Sequence, residues 1–196
     1  MSGYFTKLLG KNNTSPPTLK VDEARSWFRE RAQEVERLSS LDVVKNATEL
    51  FTNRQMLGHF YLFRYDPKYK DDLPYYDRYP TVLLLDRNRD GFMGLNLHYL
   101  PFQFRAALMD QLYEYVVGKD ELTRVRVTYN LLKQTARLKF FRPCLKHYLN
   151  SYMRTRLIHI DVKEWDISLF LPLQRFAKKS QQKVHRDSIK IIRNYR

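Results

Sequence analysis

Apolar positions along this chain change their period several times, and each change predicts a different element. Between residues 22 and 38, Ala24, Phe28, Ala32, Val35 and Leu38 recur at helical spacing, with Arg25, Arg29, Glu30, Glu34 and Arg37 on the opposite side. With Asp22 placed to cap it, this predicts an amphipathic helix. The stretch "SSLDVVKNATELF" predicts a second, short helix, and the first 20 residues, with "KNNTSPPT", predict an irregular arm.

From Leu57 the pattern becomes strand-like. "GHFYLFRY" is an aromatic-rich strand, and "DPKYKDDLPYYDRYP" is a long loop punctuated by proline and aspartate, held down by Leu73, Tyr75 and Tyr76. "TVLLLD" and "FMGLNLHY" flank the turn "RNRDG", where Gly91 suits a positive φ. Short strands, one long early loop and a tight later hairpin predict a small SH3-like β-barrel.

Helical spacing returns at Pro101, which suits a first helical turn, and ends at Gly118; Phe104, Leu108, Leu112 and Tyr115 form its buried stripe. Val125, Tyr129, Leu132 and Ala136 mark a helix near 121–137, and a third is expected from Pro143 to about Met153. "RLIHI" is a strand able to rejoin the barrel. Asp161 and Glu164 resemble a capping box opening "DVKEWDISLF", which Pro172 interrupts. The expected fold is therefore α+β: an SH3-like barrel over 57–176 with a helical insertion at about 101–153, an irregular arm at 1–20, a helical segment at 21–56 and a basic tail at 177–196.

Charge sharpens this division. Residues 1–121 hold 17 basic and 17 acidic side chains, whereas residues 122–196 hold 18 and 4, so the whole net charge of +14 lies in the second part. A polyanion or an acidic protein surface is the partner such asymmetry suits. The densest cations are Arg137, Lys139, Arg142 and Lys146, at the expected start of the third helix, where free N–H groups favour anions. The tail adds Lys178, Lys179, Lys183, Arg186, Lys190 and Arg193. These ten residues are the candidate partner or nucleic-acid contacts.

The acids do not read as a site. "DRNRDG" opens like an EF-hand loop, but position 12 is Leu97 where a bidentate glutamate is needed, so Asp86, Asn88 and Asp90 are turn residues. "IHIDVK" is half of a two-metal nuclease arrangement, yet the nearest upstream acid from Asp161 is Glu121. The five histidines show no metal-ligand spacing, no phosphate-binding glycine loop is present, and a lone Cys144 excludes an intrachain disulfide. No catalytic residue, metal or cofactor is expected. No apolar run approaches a membrane span, and no secretory signal is evident.

The motifs "YDPK…LPYYD…P", "GLNLHYLP", "PCLKHYL" and "EWDISLFLPLQRF", within residues 57–176, resemble a protein of contractile-tailed bacteriophages, of the minor virion structural or DNA end protector type. That resemblance implies a non-enzymatic component of the virion, at the tail, baseplate or neck, assembled in the bacterial cytoplasm and docking onto neighbouring virion proteins. The alternative it carries is an end protector binding packaged phage DNA without sequence specificity.

Overall fold

The hairpin of "TVLLLD" and "GFMGLN" anchors everything else. The computed structural model of the protein describes residues 3–9, 39–105, 123, 130 and 139–194. Within these, eight strands form: β1 (Phe51–Thr52), β2 (Phe60–Leu62), β3 (Tyr76–Asp77), β4 (Thr81–Arg87), β5 (Gly91–Asn96), β6 (Leu145–Leu149), β7 (Leu157–Ile160) and β8 (Phe176–Ala177). Six make an antiparallel sheet in the order β1-β7-β2-β4-β5-β6, and β3 pairs with β8 beside it. The large sheet ends in two edges, β1 and β6, so no closed barrel forms among the described residues.

The apolar character of β4 has a direct cause: both faces of the sheet are covered. Phe60, Leu62, Leu83, Leu95, Ile158 and Ile160 face one core, with Phe5, Val43, Val44 and Trp165 laid over them. Tyr61, Phe63, Val82, Leu84, Phe92 and Tyr148 face a second, aromatic core. Phe63 meets Phe92, Tyr65 and Tyr148 edge-on, at ring-centroid distances of 5.8, 6.1 and 5.3 Å. Such edge-to-face contacts fix side-chain orientation beyond what area burial supplies.

Four helices pack on the first core: α1 (Tyr4–Leu9), α2 (Ser40–Asn46), α3 (Trp165–Phe170) and α4 (Gln181–Asn194). The Ser39 hydroxyl accepts from the Asp42 amide and starts α2. Several expectations change. The start of the expected irregular arm is helix α1, pinned where the Tyr4 hydroxyl donates to the Val43 carbonyl at 2.7 Å. The expected helix from Pro143 is instead a 3-10 segment, Lys139–Cys144, followed by β6, because Tyr148 and Leu149 find ladder partners in Phe92 and Gly91. Phe104, expected on a buried stripe, is exposed while Arg105 is fully buried. The helix expected at 22–38 and residues 106–118 of the one expected from Pro101 lie outside the described residues, as does the helix expected at 121–137 apart from Thr123 and Asn130.

Glycine also moved. The positive φ is at Gly58 (80°), where the chain turns into β2, and not at Gly91. Gly91 is required for a different reason: a Cβ there would overlap the Tyr148 carbonyl across the β5–β6 pair. The "RNRDG" turn is closed by Asn88, whose side-chain oxygen accepts from the Gly91 amide at 2.7 Å.

Candidate nucleic-acid interface

The C-terminal segment, expected as a basic tail, is largely a folded helix. Lys178 takes a left-handed φ of 67°, reversing the chain after β8, and its ammonium donates to the Asp71 and Leu73 carbonyls at 2.6 and 2.9 Å. The Ser180 hydroxyl and carbonyl then accept from the Lys183 and Val184 amides and open α4. Val184, Ser188 and Ile192, four residues apart, form the buried stripe.

Opposite that stripe, Lys183, Arg186, Lys190 and Arg193 are all exposed. Their spacing of three, four and three residues keeps them within one strip about 15 Å long at 1.5 Å per residue. The only acid on α4, Asp187, lies beside the strip and is bound by Lys179 at 2.8 Å. The Lys179 hydrogen bond holds its carboxyl below the usual carboxylate range, with Lys190 and Arg186 adding to the effect. Lys179 also lies over the Tyr75 ring at 4.8 Å. The four strip cations have no ion-pair partner among the described residues.

The 3-10 segment Lys139–Cys144, which carries another candidate, packs against α4. Arg142 is exposed on the 3-10 segment. Lys146 is largely covered: its ammonium sits 4.3 Å from the Tyr99 ring centroid, and burial lowers its pKa. Arg137 and the Lys139 side chain lie outside the described set. The helix N-terminus that was to support this cluster is absent, since Pro143 lies inside the 3-10 segment.

A second basic surface, which local spacing did not signal, lies at the β1 edge. Arg54, Arg64, Arg87, Arg154 and Arg156 are exposed there. Hydrogen bonds tie their segments together: Arg87 Nη1 donates to the Gln55 carbonyl at 3.0 Å, and the Arg154 amide to the Arg64 carbonyl at 2.8 Å.

Beneath α4 lies a buried polar centre. The Asp77 carboxylate accepts from the Tyr79 and Arg175 amides, from Asn96 Nδ2 and from His98 Nδ1. Burial opposes its ionisation, but His98 and the amide donors outweigh that and hold the carboxyl below its usual range. Arg105 is equally buried, donating to the carbonyls of Leu100, Leu169 and His98 at 2.8, 3.0 and 2.9 Å. Burial lowers its pKa to about 10 and pushes the Cys144 thiol up to about 12. This centre is enclosed and structural. His59 and His159 do meet, 2.9 Å apart across β2 and β7. Among the described residues, however, no group of three His, Cys, Asp or Glu gathers to hold a metal. Asp161 simply caps the 3-10 turn Val162–Glu164 through the Lys163 amide.

An antiparallel sheet with covering helices and exposed basic surfaces defines a mixed α/β protein. The chain matches the family model of the phage T4 terminal DNA protecting protein over residues 11–194, and it belongs to that family. The match extends on both sides beyond the 57–176 region that carried the resemblance. This is a family of phage DNA end-protecting proteins. No curated protein and no solved structure matches the chain. Among the described residues no helix is long and apolar enough to cross a membrane.

Proposed function

We propose that this protein is a non-enzymatic DNA end protector that covers the termini of phage DNA, holding phosphates through Lys183, Arg186, Lys190 and Arg193 without reading sequence. The observation that carries the reading is the α4 strip: four exposed cations on one side of a packed helix, in a family described by DNA protection. A packed helix presents its charges without the ordering cost that a free tail meets on binding. The strand order, with the 3-10 turn Asn150–Tyr152 leading into β7 and β7 returning to β2, supports viewing the sheet as an opened SH3-like barrel. Docking onto tail, baseplate or neck subunits has weaker support, because the family is described by DNA protection. The protein works on the phage genome, in the host cytoplasm or in the virion.

Salt titration tests this. Four phosphate contacts give a slope of about −3.6 in log affinity against log salt, or roughly a hundredfold loss between 50 and 200 mM. The combined change Lys183→Gln, Arg186→Gln and Lys190→Gln is expected to reduce the slope by about 2.7. Absence of linear-duplex binding at 50 mM salt overturns the proposal.

A further inference from the structure

The β1 edge carries a cleft of about 400 Å³ between β1, β7 and the turn before β7, lined by Asn53, Gln55, Asn150, Arg154, Thr155 and Arg156 among others. That volume falls in the range of small-ligand sites, roughly 300–1,000 Å³. Its chemistry is unusual for a crevice between strands. No carboxylate lines it; amides, hydroxyls and two guanidinium groups do. Beside the cleft Asp66 binds Arg154 at 3.2 Å and is shared with Lys70. The amides are already fixed. Gln55 Nε2 donates to Asn150 Oδ1 at 2.8 Å, and Arg156 Nε donates to Asn53 Oδ1 at 3.2 Å.

Holding Arg156 through Nε orients its fork while leaving the two Nη groups for an anion, a geometry that suits a phosphate bidentately. Asn and Gln side chains offer the paired donor and acceptor that match a base edge. Arg54, Arg64 and Arg87 add positive field around the rim, which favours entry of a polyanion over that of a neutral ligand. Met153 and Leu157 supply an apolar wall against which a base or sugar can rest.

We propose that this cleft binds one nucleoside monophosphate unit, supplied by the terminal nucleotide of a DNA strand, with Arg154 and Arg156 on the phosphate and Asn53, Gln55 and Asn150 facing the nucleoside. This rests on the end-protector reading and gives it the element that distinguishes an end from interior duplex. The α4 helix packs on one face of the sheet, whereas Leu157 and Met153 belong to the core of the other, so variants separate the two surfaces.

The test compares a 5′-phosphorylated DNA hairpin with one open end against a closed dumbbell of the same sequence, by fluorescence anisotropy. The wild-type protein is expected to prefer the open hairpin at least tenfold. Arg156→Gln combined with Asn53→Ala is expected to abolish that preference, lowering hairpin affinity at least tenfold more than dumbbell affinity. Arg156→Lys, which keeps charge but loses the fork, is expected to lose most of it. The α4 variant weakens both probes and keeps their ratio; dumbbell binding unaffected by the α4 changes removes the α4 reading and leaves the cleft standing. Wild-type preference in the Arg156→Gln, Asn53→Ala protein, with an unchanged melting temperature, overturns the cleft. Free deoxyadenosine monophosphate that binds as tightly as the hairpin overturns the strand end as source.

Discussion

Asp77 Oδ2 and His98 Nδ1 are 2.7 Å apart, and both side chains are buried. Through this contact a two-residue strand is joined to the 3-10 turn that ends β5 and, through the Arg175 amide, to the segment leading into α4. Asp77→Ala strands two backbone amides, the His98 ring N–H and the Asn96 amide together. A loss on the order of 3 kcal/mol is expected, readable as a shift in the urea midpoint. Asp77→Asn is expected to lose less, since one oxygen still accepts.

Acid is expected to destabilise the fold in a defined window. Burial lowers the pKa of His98, and that of His185 to about 4, against the ordinary 6.5. Below 6.5 the unfolded chain therefore takes up protons that the folded chain refuses, so stability present at neutral pH declines as pH falls towards 4. Asp77, held low, adds its own loss only below the ordinary carboxylate value of 3.8. Melting temperature measured from pH 7.5 to 4.5 should fall, and His185→Gln should flatten the curve.

Arg105 is expected to tolerate no conservative replacement. Its planar fork reaches three carbonyls, one of them Leu169 near the end of α3, and stacks 4.6 Å from the Phe102 ring centroid. A lysine ammonium cannot span these acceptors. Arg105→Lys should cost about 2 kcal/mol in chemical denaturation.

Gly91→Ala separates the two explanations for that glycine. With an ordinary φ, the cost comes from overlap with the Tyr148 carbonyl, so β5 and β6 must part. A destabilisation of about 2 kcal/mol is expected. A neutral result in equilibrium unfolding would show that the ladder yields easily.

The amino-acid sequence alone determined the charge division, the absence of metal-ligand spacing, the β4–β5 hairpin and the strand Leu157–Ile160, because these depend on composition and on neighbours within a few residues. Four cations of the candidate interface were legible in the same way, Lys183, Arg186, Lys190 and Arg193, but as part of a basic tail. Their helix was missed because its buried stripe has only Val184 and Ile192 as large apolar anchors, too little to stabilise it away from the sheet. Tertiary structure decided the rest. β6 is a strand because its partner lies fifty or more residues earlier, a pairing that no local period encodes. The cleft joins Asn53 and Gln55 to Arg154 and Arg156, about a hundred residues apart, when β1 and β7 pair. Side-chain chemistry is written along the chain, but the convergence of those side chains on one cleft is created only when the sheet brings distant segments together.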